Sequence, residues 1–258
     1  MEITDTQIAA FIQQYFLPFV RVGVMLMVMP VLGSRIVSAR VRLVLAALVT
    51  VIVVPLLPPL PLVEPLSLAS AGFVAQEVLI GMVIGFSFQI FFQMFVLSGQ
   101  YMAMKMGLGF ASMNDPTNGV QTTVLSQFFL MLVTLMFVAV DGHLILISLI
   151  VESFQSLPPG SFLLKASVLW QVVGLGSWMF AAALVMALPV LTSLLFVNIA
   201  FGIMSRAAPQ LNIFAIGFPF TLMSGLLLIW LGLVNFEEIF NNTMDFGFLM
   251  VRDFLSLP

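Results

Sequence analysis

Ionisable side chains are scarce enough in this chain that each can be weighed by name. Its 258 residues hold eight Lys and Arg, eleven Asp and Glu, one His and no Cys. Without Cys there are no disulfides and no thiolate metal sites. His143 as the single imidazole leaves neither a His-rich cluster nor an H-E-x-x-H zinc helix, so no metal and no cofactor are expected. The charges that fall within apolar stretches are Arg21, Glu77 and the triplet Asp141-Gly142-His143. Acids and bases at such depth can relay protons or serve a transporter as buried coupling charges. Asp141 and His143 equally suit the outer end of a helix, with His143 hydrogen-bonded locally, since no second His or Lys is identifiable as a partner. Arg21 either snorkels to an interface or faces protein or water. There is no G-x-x-x-x-G-K-[ST] loop and no G-x-S-x-G elbow, and Gly107-Leu-Gly109 lacks the strand-to-helix setting of a dinucleotide site. An enzyme is not expected. A net charge of −3 and a pI near 4.9 argue against nucleic acid as a partner.

The elements that carry these residues are set by solvent. The chain is 62% hydrophobic and 7% charged, with a mean hydropathy of +1.20. A soluble domain averages about 25% charged residues, so this chain cannot cover itself with a polar surface. The expectation is an all-α integral membrane protein, one domain over 1–258, with about six long apolar helical segments, some kinked or hairpin-like. They fall at about 8–32, 43–63, 72–104, 124–151, 168–204 and 211–236. Pro18 and Pro30 bracket Arg21, predicting a kink at the start of the first segment and a stop at its end. Arg35, Arg40 and Arg42 mark the first loop as cytoplasmic by the positive-inside rule, which places both chain ends outside. The third and fifth segments are longer than the roughly 20 residues that cross a bilayer. The fifth, with Pro189 near its middle, reads either as one kinked helix or as a hairpin. Gly81-x-x-x-Gly85 has a spacing that lets helices approach closely, although it is common by chance in apolar helices. No inverted repeat of the secondary-transporter kind is visible.

Between the third and fourth segments runs G-L-G-F-A-S-M-N-D-P-T-N-G, Gly107 to Gly119. Gly107, Gly109, Asn114, Asp115, Pro116, Asn118 and Gly119 favour turns and left-handed backbone, while Leu108, Phe110 and Met113 are too apolar for a solvated loop. Irregular backbone at a membrane is tolerated where protein covers it or where it lines a wet cavity. The stretch is therefore a tucked-in connector or a movable plug whose side chains seal a conduit. Met102, Met104 and Met106, too tightly spaced to share one helix face, are core filling or a compliant gasket.

Four stretches carry a family resemblance: V-L-G-S-R-I-V-S-A-R-V-R-L, G-L-G-F-A-S-M-N-D-P, D-G-H-L, and S-R-A-A-P-Q-L-N-I-F-A-I-G-F-P at 205–219. In order and spacing they span nearly the whole chain, and it resembles the FliR/SctT family of type III secretion export-gate proteins, on the flagellar side. The resemblance implies a subunit that joins FliP and FliQ in one helical gate, with FlhB and FlhA adjacent. The gate sits in the bacterial inner membrane at the flagellar basal body and passes unfolded flagellar proteins out of the cytoplasm. It implies a plug at Gly107, Leu108, Gly109, Phe110, Ala111, Ser112, Met113, Asn114, Pro116 and Gly119. It also puts Arg206, Pro209, Gln210 and Asn212 at the cytoplasmic mouth or the FlhB contact. The competing expectation is a standalone polytopic transporter using Arg21, Glu77, Asp141 and His143.

Overall fold

The structure is a computed structural model, and it describes residues 5–34, 37–57, 67–108, 123–159, 166–208 and 213–255. Regular structure among these residues is helical throughout. The α-helices are α1 (Asp5–Val28), α2 (Ala39–Val53), α3 (Leu68–Lys105) and α4 (Val124–Ala139), then α5 (Gly142–Ser156), α6 (Ala166–Ala207), α7 (Ile213–Gly232) and α8 (Phe236–Phe254). Four helical stretches are long and apolar enough to cross a membrane: Ala39–Leu56, Leu68–Lys105, Ala166–Ala207 and Ile216–Phe254, with α4 and α5 together as a fifth. The apolar part of α1, Gln14–Val28, is shorter. This is an all-α membrane protein.

Local chemistry accounts for several helix ends. Helix α1 runs through Pro18 and stops at Val28, two residues before Pro30, whose ring cannot continue it. Ser38 caps α2, its hydroxyl oxygen accepting the Val41 N–H at 3.4 Å. Pro55 ends α2 in a 3₁₀ turn at Val54–Leu56.

Two segments differ from the sequence expectation, and a third settles an alternative that the sequence left open. The stretch 124–151 is not one helix: α4 and α5 are bent by 66°. Asp141 there takes the left-handed conformation, φ 55°, and the ring of Phe137 lies where any side chain at residue 142 would stand, so only Gly142 fits. Of the two readings of 168–204, one long helix and a hairpin, the structure has the first: the stretch lies within α6, a single helix of 42 residues. Pro189 forfeits one backbone hydrogen bond, the one an N–H there would give to the Val185 carbonyl one turn back. The last segment does not end at 236 but passes through a 3₁₀ turn, Leu233–Asn235, into α8.

Packing divides the chain into two compact units, Met1–Ile90 with Met136–Leu175 and Phe246–Pro258, and Phe91–Leu135 with Gly176–Asp245. In the first unit, Gly81 and Gly85 of α3 lie against the backbone of α1. A Cβ at Gly85 would stand 3.0 Å from Met25 O and 3.1 Å from Met29 N. Leu17, Val22, Met25 and Leu26 of α1, and Met29 just past its end, are buried, and Phe88 meets Phe248 at 4.8 Å between ring centres. In the second unit, Gly99 of α3 seats α4, with Ser126 Cα 2.9 Å from where a Cβ would be. The Ser126 hydroxyl donates to Val96 O at 2.9 Å across the same contact. Phe236 stacks on Phe129 at 5.7 Å and meets Phe95 at 5.5 Å.

Candidate functional site

The end of α3 builds the root of the central stretch. The Gly107 N–H donates to Met104 O at 3.1 Å and the Leu108 N–H to Ala103 O at 3.0 Å. Those two bonds, with Gly107 at φ +86°, make a Schellman motif, in which the residue after the C-cap must be left-handed. Lys105 lies in the last helical turn, where a cation is favoured by the helix dipole. Helix α7 then holds the root from the side. Met106 is fully buried and its Sδ lies 2.8 Å from the position a Cβ would take at Gly225. The Phe218 ring lies 2.9 Å from the corresponding position at Gly107. Gly107 is thus demanded twice, by its backbone angle and by the ring beside it.

The three methionines divide as their spacing dictates. Met102 and Met106, one helical turn apart, are buried, and Met104 between them is exposed. Leu108 is half-buried. Gly109, Phe110, Ala111, Ser112, Met113, Asn114, Pro116 and Gly119 lie outside the described residues, as do Pro209, Gln210 and Asn212. Arg206 is exposed in the last turn of α6.

The first unit contains the charged cluster. Arg21 is fully buried and does not snorkel. Its Nε donates to Glu77 Oε2 at 2.6 Å and its Nη2 to Glu77 Oε1 at 3.0 Å. Nη1 donates to both the carbonyl and the hydroxyl of Ser153, each at 3.0 Å, and Nη2 also to Leu157 O at 2.7 Å. The five N–H groups of a guanidinium are all used. The Phe154 ring covers the group, 4.3 Å from Cζ to its centre. Two ladders place the pair. Arg21 and Met25 on α1 and Met29 just past its end repeat every four residues, facing Glu77, Gly81 and Gly85 at the same interval on α3. The glycines bring the backbones close enough for the short carboxylate to reach the guanidinium.

Sequence reasoning singled out Arg21, Glu77 and the glycine spacing separately. It missed their union, together with Ser153, Phe154, Leu157, Phe218 and Gly225. The matched four-residue intervals were the signal that could have joined the first three. Asp141 is exposed and begins α5, its carbonyl accepting from the Leu144 and Ile145 N–H groups at 2.8 and 3.2 Å. It marks a bend inside the apolar stretch rather than the end of it. The local hydrogen bond expected for His143 is missing at Nδ1, which is buried with no partner among the described residues. Those residues include no group of three or more acids or imidazoles that could hold a metal ion.

Comparison with known proteins gives matches over the length of the chain. The profile of the family described as bacterial export proteins, family 1, matches residues 12–247. The flagellar biosynthetic protein FliR of Pectobacterium carotovorum is 37% identical over 239 residues, 91% of each chain. FliR of Escherichia coli K12 is 36% identical over 253 residues, 95% of this chain and 97% of its own. FliR of the more distant Bacillus subtilis is 25% identical over 249 residues, 94% and 95% of the two chains.

Proposed function

We propose that this chain, which belongs to family 1 of the bacterial export proteins, is a multi-pass membrane subunit of the flagellar protein-export apparatus. The observation that carries the reading is the extent of the likeness to flagellar FliR proteins, 91% and 95% of the chain in two of them. In finer detail it is one subunit of an export gate with FliP and FliQ, beside FlhB and FlhA, in the bacterial inner membrane. The gate passes unfolded flagellar proteins, and the chain's part is to shape and close the conduit rather than to catalyse a reaction.

The length of the exposed helices supports an assembly. Helix α6 has 42 residues and Ile216–Phe254 has 39, which at 1.5 Å per residue gives about 63 and 58 Å. The hydrocarbon of a bilayer is about 30 Å thick. Both stretches are apolar and mostly exposed, so lipid alone cannot cover them and other membrane proteins would cover the rest. The plug reading draws support from the root of the loop, which is capped at Gly107 and clasped by Phe218 and Gly225. A transporter reading is less well supported. Its coupling charges would need exchangeable partners, and every donor of Arg21 is already bound.

The test is the native mass of the tagged full chain, gently extracted from its own cells. A large particle in which this chain accompanies several copies of two other small membrane proteins is expected. A monomer or homodimer surviving mild extraction would overturn the gate reading.

A further inference from the structure

The bend between α4 and α5 carries a charge that no described part of the chain answers. Phe137 is fully buried and its ring fills the space beside Gly142, which fixes the turn from within. The Val140 N–H donates to Met136 O at 3.0 Å and the Asp141 N–H to Val138 O at 3.1 Å. With the two bonds that the Asp141 carbonyl accepts, the backbone is held on both sides of the residue. The side chain is not held. Asp141 stands at the N-cap of α5, where a carboxylate ordinarily accepts an N–H from the first turn. That use goes with extended backbone, whereas Asp141 is left-handed and its carboxylate makes no capping bond.

Nor does the carboxylate find a cation. It forms no ion pair among the described residues, where Arg21 answers Glu77 and Arg252 answers Glu152. The surface around it is apolar. From 138 to 145 the exposed residues are Val138, Ala139, Val140, Asp141, Leu144 and Ile145, and Asp141 is the single polar one. Such a patch calls for a partner at any membrane depth. In lipid a bare carboxylate is costly, and the favourable dipole of α5 offsets only part of that cost. In water the contiguous aliphatic side chains around it mark an interaction site. An apolar helix carrying one cation meets both requirements, whereas a lipid tail or water meets only one.

We propose that the surface around Asp141 docks an apolar helix of another membrane protein, and that a single Lys or Arg on that helix pairs with the Asp141 carboxylate. The occupant follows from charge complementarity: an acid unpaired among the described residues is set among aliphatic side chains that would keep water from the contact. The fixed turn suits this use, because the backbone that presents the carboxylate need not reorganise on docking. The docking rests on the assembly proposed above, to which it adds the chemistry of one contact.

The experiment places the photocrosslinking residue p-benzoylphenylalanine at Leu144, exposed one turn from Asp141, in the full chain in its own membranes. Adducts are expected on an apolar helix of another protein, within one turn of a Lys or Arg. Asp141→Asn keeps the side chain's size and tolerates left-handed backbone. It should reduce the adducts several-fold and leave the unfolding temperature of the purified chain unchanged. Replacing the cation of the cross-linked helix with Met, in the Asp141→Asn background, should restore them; no recovery would overturn the pairing. Adducts on lipid, on this chain or on a helix without Lys or Arg would overturn the docking, as would adducts unchanged by Asp141→Asn. A lowered unfolding temperature in that variant would assign the carboxylate to the chain's own fold instead. Cross-links are read in the membrane, so absence of a large particle on extraction would count against the gate reading alone.

Discussion

Arg21 and Glu77, 56 residues apart in the chain, meet as a two-pronged ion pair with no solvent contact, at 2.6 and 3.0 Å. A buried charge left without its partner costs far more than the pair itself contributes. The pair is therefore an obligation between α1 and α3: neither helix can bury its own charge without the other.

Replacing one member should be worse than replacing both. Arg21→Met or Glu77→Leu alone should destabilise by about 3–5 kcal/mol, while the double variant, with apolar groups of similar volume, should lose much less. Thermal unfolding of the purified chain in detergent measures this. Equal losses in all three variants would show that the pair is not coupled.

Glycines that look alike in sequence should separate by surroundings. Gly85→Ala pushes its methyl against backbone atoms of α1, which cannot swing away, and should cost about 1–3 kcal/mol as overpacking. Gly174→Ala on α6 meets open space and should stabilise by up to about 1 kcal/mol through helix propensity. The same unfolding assay reads both signs.

At the plug root, Gly107→Val should strain the left-handed cap by about 1–2 kcal/mol and also collide with the Phe218 ring. If the stretch is a plug, this variant should leak ions when assembled in the membrane, and deletion of 108–113 should leak more. Conductance recorded across planar bilayers would test both. A deletion as tight as the parent chain removes the plug assignment.

Arg206 is exposed, so Arg206→Glu should change stability by no more than the helix-dipole contribution of about 0.3–1 kcal/mol. A role at the cytoplasmic mouth or the FlhB contact predicts lost motility at normal protein level. Normal swimming in soft agar would count against that role.

Val31 carries a left-handed backbone, φ 69°, although it is β-branched. Such a conformation costs about 1–3 kcal/mol, and Val31→Gly should recover part of it as a higher unfolding temperature. A lower temperature would mean that the Val31 side chain contributes more to packing than its backbone loses.

Much of the architecture was legible because lipid imposes coarse requirements. Sixty-two per cent hydrophobic composition forces the backbone to satisfy itself within helices, and Pro30 and Pro55 stop them locally. What was not legible depended on neighbours. Whether 168–204 folds back at Pro189 turns on the cost of one lost hydrogen bond, which the chain bears within a single helix of 42 residues, Ala166–Ala207. Whether 124–151 stays straight turns on Asp141 taking a left-handed angle while Phe137 occupies the space beside Gly142.

The same division runs through the sites. Residue type alone left Arg21 either to snorkel to an interface or to face protein or water, and named Gly107 as a turn former. Periodicity alone placed Met104 away from Met102 and Met106. The identity of each partner came from elsewhere in the chain: Glu77, Ser153 and Leu157 for Arg21, Phe218 for Gly107, and Gly225 for Met106. Local sequence records what a side chain requires. Which of several distant groups meets that requirement is decided by how closely the helices pack, and only the folded chain brings those backbones together.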